Sequence, residues 1–449
     1  MPESNYMDVA KLLDEGRWTG YLKFLVALVA LTIIFDGAEI QLLALTVPSL
    51  MDQWAVPRSA FAPVFAIGLV GMMVGGALGG YLGDRLGRKT ALIASVFTFG
   101  AMTLAISFPV LCDSVVALGV WRFLAGLGLG GAMPNAAALT SEYVPRRQRP
   151  IAVTLTIVCV PLGGMLASAV AELVLPKPGP GWRDLFMIGG AAPLVSALVL
   201  TQFLVESPRF LSRQPGRWPQ LSRFLLRAGH NVPADCRFTD ATTNIVRKQT
   251  IGSLLTPDYL RDTLGLWCAF FACLLAVYAN FNWIPALLAG AGRANAASSG
   301  LFYFNLGGVI GAIVGALAIS RVGSKLMMLT LSACAVVTLL VFSTLAIDGS
   351  ADVFKLFALF ALSGTMINGV QTTMYALAAH IYPVENRATG VGMAAAMGRV
   401  GGLASAYLTA WALDLGGSRA FFILAAVAMM MTFVGLSVIR RHVQRDSRS

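Results

Sequence analysis

The chain has 449 residues, 57% of them hydrophobic and 12% charged, with a mean hydropathy of +0.73. A water-soluble domain carries about 25% charge, so the composition excludes an ordinary soluble protein, and continuous rather than alternating apolar runs exclude a membrane β-barrel. The net charge of +11 would suggest a nucleic-acid partner in a soluble protein; here the cations fall between apolar runs, where membrane orientation explains them and no nucleic acid is expected.

In chain order, the polar N-terminus has no short cleavable apolar stretch, so the first long helix is expected to act as its own insertion signal. Cutting at charged and Pro/Gly-rich breaks gives twelve apolar segments: about 24–50, 58–82, 90–110, 115–143, 150–174, 185–205, 262–290, 298–320, 325–346, 352–380, 388–413 and 418–440. Placing both tails and the even-numbered connections inside puts 25 Lys/Arg there against 6 outside. That bias predicts a multi-pass protein of the inner (plasma) membrane with both termini cytoplasmic. The expected fold is all-α: twelve transmembrane helices in two pseudo-symmetric six-helix bundles, 1–205 and 262–449, joined by a cytoplasmic linker, 206–261. Within the linker, Trp218 to Leu226 reads either as an amphipathic helix on the inner leaflet or as plain connection. The halves repeat. At an offset of 238, Gly126, Gly131, Pro145, Arg149 and Gly163-Gly164 match Gly364, Gly369, Pro383, Arg387 and Gly401-Gly402. Duplicated halves around a midplane site are a transporter organisation.

The connection after the second segment is Gly80-Tyr-Leu-Gly-Asp84-Arg85-Leu-Gly87-Arg88-Lys89. It is expected to be a tight charged turn. Gly80 and Gly87 would allow close helix approach and a sharp reversal, Asp84 would accept bonds from the amides of a neighbouring helix start near Arg387–Thr389, and Arg85, Arg88 and Lys89 would mark the cytoplasmic face. Glu142 and His380 fall near helix ends on that face, where an inner gate would lie.

Ionisable groups at membrane depth stand out. Asp36 and Glu39 sit at i and i+3 in the first segment, roughly 18–22 Å along it and so near the midplane. Two such carboxylates cannot both ionise cheaply, so at least one is expected to hold a proton near neutral pH, as a proton-coupled carrier requires. Arg122 in the fourth segment and Arg399 in the eleventh stay charged at any working pH; they would grip an organic carboxylate or balance Asp36 and Glu39. Gln41, Tyr278, Asn282, Trp283, Tyr303, Asn305, Asn368, Gln371 and Tyr375 supply aromatic and amide groups that suit a flat ligand with a polar end, or serve as interhelical glue. The six cysteines lack metal-type spacing and no cofactor is expected. With no phosphate loop and no nucleophile–base pair around His230, His380 and His442, an enzyme is not expected.

The G-x-x-x-D-R-x-G-R-K stretch resembles the signature loop of the major facilitator superfamily, and Arg122-x-x-x-Gly126 resembles a second motif of it. A narrower resemblance spans nearly the whole chain. Asp36-Gly-x-Glu39, Arg122 to Asn135, Ser141-Glu142-Tyr143, Glu206-Ser207-Pro208-Arg209-Phe210-Leu211, Asn282-Trp-Ile-Pro285, Arg387 to Gly392 and Gly398-Arg399 are similar to the aromatic acid:proton symporters. That resemblance implies uptake of benzoate-like or hydroxybenzoate-like carboxylates with protons by alternating access, in a monomer surrounded by lipid. Ala38 and Glu39 stand where the family has an aromatic residue and Asp, and Ser320 where its second-half loop often has an acid. A facilitator-fold porter or exporter of another organic acid, a sugar or a drug is the alternative.

Overall fold

The computed structural model describes all residues except 1–5, 177–180, 234–235, 240–250, 346, 348–351 and 445–449. Lys177, Arg247, Lys248, Arg445 and Arg448 of the charge inventory, and the side chain of Ser320, lie outside the described set.

After a short helix α1 (Val9–Glu15), the first half is built from α2 (Gly20–Trp54), α3 (Ala62–Leu86), α4 (Arg88–Ile106), α5 (Val115–Tyr143), α6 (Arg149–Val174) and α7 (Gly181–Phe203). The connection contains α8 (Pro208–Ser212) and α9 (Trp218–Arg227). The second half follows as α10 (Pro257–Gly290), α11 (Ala297–Val322), α12 (Ser324–Thr344), α13 (Val353–Ile381) and α14 (Val384–Val438). Side-chain caps start several of these helices: Thr19 accepts from Leu22 N–H, Ser114 from Ala117 N–H and Asp352 from Phe354 N–H. Where twelve separate crossings are expected, the last two are joined in α14. Gly416 and Gly417 (φ 57°) are non-helical, so the chain reverses there between two legs without an intervening loop. Tyr6–Asp8 (β1) also pairs in parallel with Arg237–Thr239 (β2), in the register Tyr6↔Arg237 and Asp8↔Thr239, tying the N-terminus to the linker.

The charged turn is tighter than its sequence suggests. Helix α3 runs to Leu86, α4 begins at Arg88, and only Gly87 lies between them, at φ 105°, a conformation that favours glycine. Asp84 and Arg85 therefore belong to a last helical turn. Asp84 is 69% exposed and pairs with Arg88; Arg85 lies over the Tyr81 ring. Gly80 faces open space rather than another helix. Helix α9 corrects the leaflet expectation. Its apolar residues Leu221, Phe224 and Leu225 are buried, and the Phe224 ring lies 6.0 Å from both Tyr21 and Tyr143, so this face packs on α2 and α5.

Within the first half α2 packs on α5, α6 and α7, and α3 on α5; in the second, α10 and α12 pack on α14 and α11 on α13. The halves meet where α2 crosses α10, α6 crosses α11 and α3 crosses α14. Helices α2 and α6 touch backbone to backbone: Gly37 lies on Val160, and Gly163 on the Ile34 carbonyl. Gly163→Val would force these helices apart and is expected to lower stability by about 1–3 kcal/mol, read as a fall in the thermal unfolding midpoint in detergent.

On the face opposite the linker, Arg58 Nε pairs with Asp414 Oδ1 (3.3 Å) and Ser299 Oγ donates to Glu172 Oε1 (3.3 Å), both across the two halves. On the linker face, three pairs among the described residues stay within one half and the linker. Asp14 meets Arg149, Glu142 accepts from Ser207 Oγ, and Ser253 donates to Asn386 (3.2 Å). The C-terminal segment docks on the start of α12: Ser324 N–H donates to the Val443 carbonyl (3.0 Å) and Val443 N–H to Ser324 Oγ (2.8 Å). His442 Nδ1 lies 3.1 Å from the same hydroxyl, and burial holds its pKa below the ordinary 6.5. The undocked segment therefore binds protons more readily than the docked one, so docking strengthens as pH rises and is lost as pH falls below about 6.5. The protection factor of the Val443 amide, the intrinsic exchange rate divided by the observed rate at the same pH, should be lower at pH 5.5 than at 7.5 in the wild type and independent of pH over that range in His442→Ala.

Candidate functional site

Apart from threonines whose hydroxyls bond to its own backbone, helix α2 is apolar around its depth except at Asp36, Glu39 and Gln41, and all three side chains are buried (1%, 1% and 0% exposed). They face three different environments. Asp36 opens onto a central cavity of about 90 Å³ between the halves. From the second half the same cavity is lined by Tyr278 of α10, Asn368, Gln371 and Tyr375 of α13, and Arg399 of α14. The Arg399 guanidinium reaches across to α3, where a Cβ on Gly76 would stand 3.1 Å from its Nη1. The glycine makes room for a cation from the other half. Tyr375 is held edge-on by Phe270 (5.2 Å between centroids), and Asn368 donates to the Gly364 carbonyl (3.0 Å).

Glu39 turns the other way and forms a buried ion pair with Arg122 of α5; Arg122 Nη1 also lies 3.4 Å from the Glu39 carbonyl. Arg122 and Asn282 line a separate chamber of about 20 Å³. Gln41 exchanges two hydrogen bonds with Asn305 of α11 (3.0 and 2.7 Å), and Asn305 also donates to the Leu301 carbonyl (2.8 Å). Trp283 is wholly buried against Phe65 (5.4 Å), and Tyr303 stacks on Phe357 (4.7 Å). Of the sequence candidates, Asp36, Tyr278, Asn368, Gln371, Tyr375 and Arg399 thus converge on one cavity. Arg122, Asn282, Gln41, Asn305, Trp283 and Tyr303 lie outside it, because i and i+3 or i+5 spacings around a helix point side chains to different neighbours. Of the charged side chains at this depth, Asp36, Glu39 and Arg122 each carry one buried atom without a hydrogen-bond partner among the described residues: Asp36 Oδ1, Glu39 Oε2 and Arg122 Nε.

Sequence reasoning missed the apolar wall of the cavity, which includes Met72, Met133, Pro161 and Phe281. In a chain this hydrophobic such residues carry no contrast, although Phe281 follows Tyr278 by one helical turn. It also missed Glu206, only 4% exposed, whose Oε1 accepts from the N–H groups of Lys89 (3.0 Å) and Ser207 (2.9 Å) beneath Gly87. Lys89 Nζ in turn donates to the Thr201 carbonyl (2.9 Å). The Glu206-Ser207-Pro208-Arg209 motif was the available signal. Arg387 is exposed on the linker face.

A family model for the Major Facilitator Superfamily matches residues 29–354 and 325–449. The chain belongs to that superfamily: it is a multi-pass membrane transporter rather than an enzyme. It is 33% identical over 421 residues to the 4-hydroxybenzoate transporter PcaK of Pseudomonas aeruginosa, covering 93% of this chain and 92% of that protein. It is 31% identical to the gallate transporter of Pseudomonas putida, covering 91% and 90%, and 31% identical to the benzoate transport protein of Acinetobacter baylyi, covering 92% and 88%. Among solved structures, the partially occluded inward-open form of the xylose transporter XylE from E. coli superposes with a TM-score of 0.75 at 17% identity, over 92% of this chain and 97% of that one. That likeness supports the fold: twelve crossings in two six-helix bundles.

Proposed function

We propose that the protein imports an aromatic carboxylate together with protons across the inner membrane, by alternating access, as a monomer with both termini in the cytoplasm. The observation that carries this is the meeting of Asp36 and Arg399 in one cavity lined by both halves. A fixed guanidinium offers two parallel donors to a carboxylate, the tyrosines and apolar wall suit an aromatic ring, and Asp36 alongside is a carboxylate that can take up a proton. Relatives named for benzoate, 4-hydroxybenzoate and gallate support the substrate class. In the cycle, substrate anion and proton enter together, because a protonated Asp36 does not repel the bound carboxylate. The halves then rock about their shared crossings. Counterflow in proteoliposomes with labelled benzoate, 4-hydroxybenzoate, gallate and xylose tests the class. Exchange of the aromatic acids and not xylose is expected; exchange of xylose alone would overturn it.

The gate is proposed to be Gly80, Asp84, Arg85, Gly87, Arg88 and Lys89 with Glu142 and Arg387. With the linker face as the cytoplasmic one, the Arg58–Asp414 and Ser299–Glu172 contacts close the outside, and Asp84, exposed and paired among the described residues with Arg88 one turn on, is available to cap the α14 start when the carrier opens outward. Asp84→Asn should leave the protein folded and shift its resting state towards inward-open, read as faster labelling of a single cysteine introduced on the linker face. Unchanged labelling and unchanged transport would remove Asp84 from the gate.

A further inference from the structure

Asp36 and Glu39 stand one turn apart, yet Asp36 lines the central cavity while Glu39 pairs with Arg122, which lines a second, smaller chamber. The central cavity holds Asp36 and Arg399; the small chamber of about 20 Å³ holds Arg122, the partner of Glu39, with Asn282. Four residues line both chambers and form the wall between them: Ile40, Met72, Leu129 and Tyr278. Three are apolar. The phenol of Tyr278 is therefore the one strong hydrogen-bonding group in that wall, and a hydroxyl can donate and accept at once. The ring is held in place from behind: a Cβ on Gly402 of α14 would stand 2.7 Å from a ring carbon. In the first half the repeat-equivalent Gly164 lies in the same way against the Gln41–Asn305 pair. Each half thus uses the second glycine of its pair to seat a polar side chain of the opposing helix, but only the Gln41 side is closed by a direct bond between the halves. A residue lining the space on each side of the wall carries a buried atom without a partner among the described residues, Asp36 Oδ1 in the cavity lining and Arg122 Nε in the chamber lining. A space of this size accommodates one water molecule, which needs roughly 10–15 Å³.

Building on the proposed proton-coupled uptake, we infer that Tyr278 is the positioning residue that couples the substrate cavity to the Arg122–Glu39 pair, through one water held in the chamber by Arg122 and Asn282. The linkage is by hydrogen bonds and the phenol keeps its proton. When substrate and a protonated Asp36 occupy the cavity, the Tyr278 hydroxyl turns to them and its bond to the chamber water is lost. Arg122 then loses that support, and its hold on Glu39 changes with the cavity's occupancy. The groups facing this wall are Asp36, Tyr375 and Arg399 on one side and Arg122 on the other.

The experiment compares gradient-driven uptake with counterflow of labelled 4-hydroxybenzoate in the same proteoliposomes, for wild type, Tyr278→Phe and Asn282→Leu. Tyr278→Phe keeps the wall and deletes the hydroxyl; Asn282→Leu fills the chamber from outside the substrate cavity. A role in packing alone would lower both activities together. The coupling role predicts that the ratio of gradient-driven uptake to counterflow falls about tenfold in both variants, the equivalent of one buried hydrogen bond. An unchanged ratio in either variant overturns the inference, and if Tyr278→Phe does not fold, Asn282→Leu decides alone. Counterflow without gradient-driven accumulation in the wild type would instead remove the proton-coupled function, and this inference with it.

Discussion

Asp36→Asn is expected to abolish accumulation of substrate under an inward acid gradient while counterflow persists. The asparagine mimics the protonated carboxyl in shape and charge, so the cavity still accepts an anion beside Arg399. It cannot release a proton, so net coupled cycles stop while exchange, which needs no release, goes on. Glu39→Gln should behave differently, since Glu39 is paired with Arg122 rather than open to the cavity. Removing one member of a buried ion pair typically costs about 3–5 kcal/mol, so this variant is expected to lose thermal stability as well as coupling. Accumulation by Asp36→Asn equal to wild type would put the proton site elsewhere.

Arg399→Lys is expected to weaken substrate binding by about 1.5–3 kcal/mol, the value of a charge-assisted bond, or roughly 10–150-fold in Kd. The ammonium keeps the charge but loses the planar fork. Arg122→Lys separates direct grip from charge balance. Arg122 is already occupied by Glu39 and lies outside the cavity, so its substitution should lower stability and coupling more than affinity. Titration of 4-hydroxybenzoate into the purified variants checks both. Wild-type affinity in Arg399→Lys would leave that residue only its electrostatic role beside Asp36.

The architecture was largely written in hydropathy, because a bilayer forces every crossing to be a long apolar helix. The break at Gly416-Gly417 was less legible: two glycines reverse the chain without the polar loop that would have marked it. At the site, residue type revealed Asp36, Glu39, Arg122 and Arg399, since ionisable groups are rare at that depth. Their partnership was not legible. An i, i+3 pair shares a face only loosely: three residues turn about 300°, so the side chains diverge by about 60°. At a helix contact that is enough to send Asp36 into the cavity and Glu39 to Arg122. Gln41 and Asn305 show the same limit. Both are amides at depth, but only the packing of the two halves shows that they bind each other. Glu206 was hidden for a different reason, since a carboxylate at the start of a basic linker looks solvated until the fold folds it under Gly87.

The central claim is that aromatic acid and protons move together through the cavity of Asp36 and Arg399. Its most direct test records the entry of labelled 4-hydroxybenzoate and of protons in the same wild-type proteoliposomes. Concentration of the acid inside under an inward acid gradient, with protons entering alongside it and both flows lost in Asp36→Asn, is the predicted result. Equilibration of the acid with no accompanying proton entry, at the same rate in wild type and Asp36→Asn, would contradict it.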